Sequence, residues 1–230
     1  YYLSFLGSLC CYSISIYNFL IYKKDIYSCL NTKLIMQQLK RLWPQKRWKK
    51  ILLITLLALI ITSIFLLAYI NVGMNSDVIT EVVIKNPQGN KTALILYHPG
   101  LSSFSHDVAY AFAEGLTSNG WRVEITTPSI QAPTELSNYS MLVVLSNTYA
   151  WSPDTPTSRH LERIGNLNQI QTVLITLGAG SAQEAQQALE DKIETSNGKI
   201  IDSMLLYSMA PNEGNKDATE IAKEAARQIV

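Results

Sequence analysis

The sequence predicts an α/β domain with a five-stranded, parallel, doubly wound sheet of order 2-1-3-4-5, preceded by one transmembrane helix. Three observations predict it. Residues 51–70 form an apolar run with no charged side chain. Residues 92–230 alternate short apolar runs with amphipathic segments, the pattern that right-handed βαβ crossovers produce. Charge is also unevenly spread along a chain whose formal net charge is only +1. Residues 1–50 hold nine Lys/Arg and one Asp, whereas 71–230 hold ten Lys/Arg and seventeen Asp/Glu. The two ends therefore sit in different surroundings.

Composition excludes several classes. With 47% hydrophobic residues the chain is not disordered, and three cysteines do not make a disulfide scaffold. The basic stretch abuts the apolar run instead of facing a domain surface, so no nucleic-acid partner is expected.

At about 1.5 Å per residue, the run 51–70 makes a helix about 30 Å long, which matches the hydrocarbon core of a bilayer. Thr55, Thr62 and Ser63 are tolerated there because their hydroxyls can bond back to the helix carbonyls. Lys40, Arg41, Lys46, Arg47, Lys49 and Lys50 crowd the N-terminal flank, with Trp43 and Trp48 as interface anchors. The positive-inside rule then puts residues 36–50 in the cytoplasm and the C-terminal domain outside, as a single-pass signal anchor. A cleaved signal peptide is the alternative, but no small-x-small site follows Tyr69. Residues 1–35 precede the first methionine, Met36, and hold all three cysteines. They read as a leader outside the native protein, or as a second apolar span broken by Lys23, Lys24 and Asp25.

Residues 71–91 form a polar connector with a strand within 78–84 and a turn at Asn86-Pro87-Gln88-Gly89. The domain then unfolds in order. TALILY at 92–97 is a buried parallel strand, and 106–118 is a helix closed by Asn119-Gly120. Strands follow at 121–126 and 139–146. A helix over 157–167 ends near Asn168. A strand at 171–177, a helix at 182–195, a strand at 199–207 and a closing helix at 217–230 complete it. In such sheets a ligand sits beyond the carboxyl ends of the strands, beside strand one. That selects the loops 98–105, 146–156 and 178–182.

Each loop carries a chemical reading and a plainer one. Ser102, Ser103 and Ser105 at a helix N-terminus suit a phosphate, or they cap the helix. Tyr149 and Trp151 cover a flat ligand or a partner, or pack as a lid on their own domain. Gly178-Ala179-Gly180-Ser181 admits close approach of a ring, or is a tight helix entry.

Together these loops resemble those of the flavodoxin family over about 92–230. The resemblance implies FMN as cofactor. Ser102, Ser103, Phe104 and Ser105 would take its phosphate. Ser146-Asn147-Thr148-Tyr149-Ala150-Trp151 is similar to the family's S-P-T-Y-x-W flavin loop. It implies Asn147, Thr148, Tyr149 and Trp151 as flavin-loop residues, with Tyr149 and Trp151 against the ring and the backbone of Gly178, Ala179, Gly180 and Ser181 near its pyrimidine edge. The family's T-x-T-G-x-T is absent, and His98-Pro99 lengthens the first loop. The function implied is one-electron transfer to or from a partner protein, needing no general base; the acidic domain would steer a basic redox partner toward it.

Two other functions compete. One is a flavin-free module of the same fold, tethered to the membrane for binding. The other is an α/β-hydrolase-like esterase, suggested by Tyr97-His98-Pro99-Gly100. No G-x-S-x-G occurs, and no histidine follows Ser181 to complete a triad in the usual order. His98, His106 and His160 lack metal-ligand spacing. His106 reads as a first-turn helix residue and His160 as part of a solvated helix face.

Overall fold

The computed structural model describes residues 46–229; the expectation for 1–35 and most of the basic flank lie outside them. The chain divides into two compact units between Ile64 and Phe65, the second holding the last turns of the first helix together with the α/β domain.

That helix, α1, runs Arg47–Asn75, longer at both ends than the apolar run, and none of its residues is buried. It is long and apolar enough to cross a membrane. Its hydroxyls bond backward: Thr55 Oγ1 donates to the Ile51 carbonyl at 2.7 Å, Thr62 Oγ1 to Ala58 at 2.8 Å and Ser63 Oγ to Leu59 at 2.8 Å.

In the domain, β1 (Val83–Lys85), β2 (Thr92–Tyr97), α2 (Phe104–Ser118) and β3 (Arg122–Thr126) come first. Then follow β4 (Met141–Tyr149), β5 (Ser152–Pro153), α3 (Thr155–Ile164) and β6 (Gln171–Gly178). Helix α4 (Gln183–Thr195), β7 (Lys199–Tyr207) and α5 (Ala218–Gln228) close the chain. The sheet order is β1-β3-β2-β4-β6-β7. Strands β3, β2, β4, β6 and β7 run parallel, which is the predicted 2-1-3-4-5 order counted over those five. The connector strand β1 adds an antiparallel edge on β3.

Alternate residues of β2 enter opposite layers. Ala93, Ile95 and Tyr97 join Phe112 and Leu116 of α2 and Ala222 and Ala226 of α5. Leu94 and Leu96 join Leu161 of α3 and Leu189 and Ile193 of α4. The period-2 exposure of a strand thus builds both cores from one six-residue run, and the strands need no polar face because both sides are covered.

Three expectations change. The segment after β4 is not a loop: β4 continues to Tyr149 and turns back into β5, pairing Thr148 with Pro153 and Tyr149 with Ser152. Helix α3 starts and stops earlier, because Asp154 caps it and Gly165 at φ 74° terminates it. His160 is fully buried, not solvated. Its Nε2 donates to the Pro133 carbonyl at 3.1 Å and Arg163 donates to Nδ1 at 2.9 Å, so the ring is a core bridge between α3 and the segment after β3.

Candidate functional site

The loops following the parallel strands all lie at one edge of the sheet, by topology alone. The first turns on His98, which is buried. Its carbonyl accepts from Ser105 Oγ at 2.8 Å and from Asn147 Nδ2 at 2.7 Å, tying the strand-one loop to both its own helix and the neighbouring strand. Ser105 is buried and also donates toward the Pro99 carbonyl at 2.9 Å, so its hydroxyl holds the loop. Ser102 and Ser103 are exposed. Ser103 occupies the N-cap position of α2 without capping it through its side chain; its hydroxyl bonds the Asp107 carboxylate instead, and Phe104 N donates to Ser102 Oγ at 3.4 Å. Phe104 is half-buried against the core of the α2 face.

The hairpin after β4 is held from below. Asp154 is buried; its Oδ1 accepts from Thr157 N at 2.8 Å, and its Oδ2 accepts from Ser146 Oγ at 2.9 Å and Asn147 N at 2.9 Å. One carboxylate therefore caps α3 and fixes the base of the hairpin. At its tip Ala150 and Trp151 have φ of 48° and 62°. This is the left-handed pair that a two-residue turn of type I′ requires and that Asn-Gly normally supplies. Non-glycine residues there carry strain of order 1 kcal/mol each. Trp151 is left 65% exposed, so the indole is presented by the turn, not packed as a lid.

Tyr149 does the opposite. Its hydroxyl lies over Gly100, where a Cβ would stand 2.6 Å from it. Burial raises the Tyr149 pKa, the Asp154 charge adds to that, and the Leu101 N–H pulls the other way, so the phenol stays protonated at neutral pH. Gly100 has φ of 64°; the glycine answers both the left-handed turn and this close approach. Asn147 and Tyr149 thus brace the first loop, and Trp151 is the aromatic side chain of the hairpin left exposed. Thr148 Oγ1 is buried with no hydrogen-bond partner among the described residues.

The third loop is small and open. Ala179, Gly180 and Ser181 are exposed, while Gly178 is buried against Ala182 and Tyr207. The Gly178 and Ala179 carbonyls accept from Ser208 N at 2.9 Å and Ala210 N at 3.1 Å. A fourth segment, after β7, therefore joins the site, and sequence reasoning missed it. It borders a cleft of about 630 Å³ lined by Phe104 and Asp107 of α2 and by Tyr207, Met209, Asn212 and Lys216. A larger cleft of about 810 Å³ lies at the amino edge of the sheet, among Ser137, Asn166 and Gln169. It is remote from these loops, so size does not choose the site.

Electrostatics at the first loop are mixed. No Lys or Arg occurs within 98–105. Asp107 on the first turn of α2 is held below the usual carboxylate range, chiefly by a hydrogen bond from His106 and then by Ser103. His106 stacks on Tyr110 with centroids 4.1 Å apart. Among the described residues no histidine hydrogen-bonds a serine hydroxyl: His98 Nε2 meets the Ser76 carbonyl, His160 the Pro133 carbonyl, and His106 the Asp107 carboxylate. The constellation a hydrolase needs is not formed by them.

Comparison with known proteins adds the fold. No protein-family model and no curated protein sequence matches the chain. Among solved structures, a flavodoxin from the domain Archaea aligns at 16% identity and TM-score 0.50, over 60% of this chain and 95% of that one. The two-electron reduced flavodoxin of Megasphaera elsdenii aligns at 14% identity and TM-score 0.50, over 59% of this chain and 98% of that one. The parallel order around β2, the helices on both faces and the likeness to these two structures give the domain a flavodoxin-like fold.

Proposed function

We propose that this protein is a membrane-anchored flavodoxin-like carrier that binds FMN at the carboxyl edge of its sheet and exchanges electrons with a partner protein. The observation that carries the reading is the convergence of the exposed Ser102 and Ser103 at the start of α2 and the exposed Trp151 on one edge of a flavodoxin-like sheet. The residues present fit the group in kind. The hydroxyls of Ser102 and Ser103 with the first-turn N–H groups would hold the phosphate. Trp151 would lie against the ring, and the backbone of 179–181 is open on the other side. When bound, the flavin supplies the electron chemistry. The chain orients it through these groups, while Ser105, Asn147 and Tyr149 keep the frame rigid. Helix α1 would cross the bilayer once, with the domain outside by the positive-inside rule, and the acidic domain would meet a basic redox partner.

A second reading keeps the fold without the flavin, as a tethered binding module. Asp107 favours it: a carboxylate held ionised on the first turn of α2 repels a phosphate dianion, and no cation lies in the loop to offset it.

Titration of the purified full chain with FMN, followed through quenching of flavin fluorescence, tests both. Tight quenching that weakens about tenfold or more in Trp151→Ala and in Ser103→Ala supports the carrier, since a ring contact or phosphate bond is worth about 1–2 kcal/mol. Flavin fluorescence unchanged by the wild-type chain sinks it and leaves the binding module.

A further inference from the structure

The five loops at the carboxyl edge share a property that ligand binding alone does not require. Segments 98–105, 127–134, 147–153, 178–183 and 207–212 contain not one Asp, Glu, Lys or Arg, in a chain with 16% charged residues. The charges stand at the margins of these segments: Asp107 and Glu184 on the first turns of α2 and α4, Glu135 and Glu213 just beyond the second and fifth loops, and Asp154 buried beneath the hairpin. The same loops present large apolar side chains to solvent: Leu101 is 49% exposed, Ile130 75%, Trp151 65% and Met209 87%. They come from the loops after β2, β3, β4 and β7. Since β3 and β7 are the outermost parallel strands, the apolar rim runs the whole width of the edge, about 20 Å at the usual strand spacing.

The segment leaving α1 is bound to this same edge. Asn75 Oδ1 accepts from Thr155 Oγ1 at 2.6 Å, the Ser76 carbonyl meets His98 Nε2 at 3.2 Å, and Asp77 pairs with Arg159 at 2.9 Å. Thr80 meets Thr127 at 3.2 Å. A Cβ on Gly73 would clash with Leu101 Cδ2, so the last helical turn lies directly on the first loop. All of these residues belong to the second compact unit. The chain therefore enters the domain at the edge that carries the apolar, charge-free loops.

The geometry points to the carboxyl edge as a lipid-docking surface, seated on the bilayer through which α1 passes, with Leu101, Ile130 and Met209 around Trp151 entering the headgroup–acyl boundary. The inference rests on the reading of α1 as a membrane span. Loop tips without charges lose no ion hydration of their own on contact with lipid, and apolar side chains beside a Trp are what such a boundary takes up. A flavin held there would open toward the membrane.

The test uses the full chain with Cys10, Cys11 and Cys29 replaced by serine, reconstituted in phosphatidylcholine vesicles. Single cysteines at Ile130→Cys, Met209→Cys and, on the amino edge, Asn138→Cys carry an environment-sensitive fluorophore, and lipids spin-labelled near the headgroup serve as quencher. Flotation of the vesicles after alkaline wash reports the span separately. The expected result is flotation, with quenching at 130 and 209 at least about fivefold that at 138, as for side chains about 5–10 Å inside the boundary. Flotation with equal, weak quenching at all three sites overturns the docking surface and leaves the span standing. Failure to float overturns both. A blue shift at 130 and 209 that depends on protein density, without lipid quenching, assigns the edge to a second copy and also overturns the proposal.

Discussion

Asp154 is the residue on which the site's geometry depends most. Replacing it with alanine removes the acceptor for Thr157 N, a helix cap worth about 1 kcal/mol. It also strands two buried donors, Ser146 Oγ and Asn147 N. Each orphaned donor costs about 1–2 kcal/mol, although the serine hydroxyl recovers part through the Asn147 carbonyl at 3.3 Å. The sum is about 3–5 kcal/mol, and for a domain of this size each kcal/mol moves the melting temperature by about 2–4 °C. A fall of about 10–15 °C is expected for Asp154→Ala. Asp154→Asn, which keeps one acceptor oxygen, should lose about half as much. The assay is thermal melting of the full chain in detergent, followed by near-ultraviolet circular dichroism. Because the same carboxylate holds the hairpin, Trp151 should also become more mobile, seen as lower emission anisotropy below the transition. Melting of Asp154→Ala within about 3 °C of wild type would refute the reasoning, since no compact domain can lose a cap and two buried acceptors so cheaply.

The remaining expectations concern the first loop and the buried histidine. Gly100→Ala places a Cβ 2.6 Å from the Tyr149 hydroxyl at a φ of 64°, so it should destabilise by about 2 kcal/mol or more. In a Tyr149→Phe background, where the clashing oxygen is gone, the penalty should fall by about 1 kcal/mol; strict additivity in a denaturant cycle would contradict the contact. His160 has its pKa lowered by burial first and by the Arg163 charge second, so the folded state binds the proton more weakly than the unfolded chain. Its stabilising contribution is full above the unfolded value of about 6.5 and is lost as pH falls toward the depressed folded value. The urea midpoint should therefore drop between pH 7.5 and 5.5 in the wild type and drop less in His160→Gln, which retains a donor for the Pro133 carbonyl. Identical slopes for the two proteins would reject a neutral buried ring.

The sheet was readable because its determinants are local. Runs such as TALILY at 92–97 and QTVLITL at 171–177 are continuous, apolar and bounded by turn residues, and five of them separated by helical spacings leave few topologies. Strand β7 runs Lys199–Tyr207 as expected, and Asp217 caps the last helix through Thr219 N at 2.8 Å. What the sequence did not reveal depends on contacts distant along the chain. His160 lies beside Arg159 and Glu162 and looks solvated, yet the Pro133 carbonyl, 27 residues away, receives its Nε2. The β4–β5 hairpin was masked because Ala-Trp is a poor type I′ sequence and its second strand contains a proline. The signal that existed was Asp154-Thr155-Pro156, an acidic cap before a proline in the first turn, which marks a helix start two residues earlier than the apolar pattern does. The segment 207–212 went unnoticed because its bonds to Gly178 and Ala179 follow from the pairing of β6 with β7, not from its own residues.

The candidate site combines a strained tip with a rigid base, and the two depend on each other. Ala150 and Trp151 could relax toward ordinary φ values if the strands beneath them were free to splay. They cannot, because Tyr149 and Thr148 are paired to Ser152 and Pro153, and Asp154 closes the base from inside the core. The backbone that carries the indole is thus fixed by buried polar bonds, and the side chain stays 65% exposed. A tryptophan whose only task was to cover its own core would need none of this apparatus: a glycine at the turn and the ring folded inward would lower the energy on both counts. That the chain instead holds Trp151 outward, among loops that carry no charge and beside the entry of the apolar helix, is the strongest structural argument that this edge meets a flat or apolar partner.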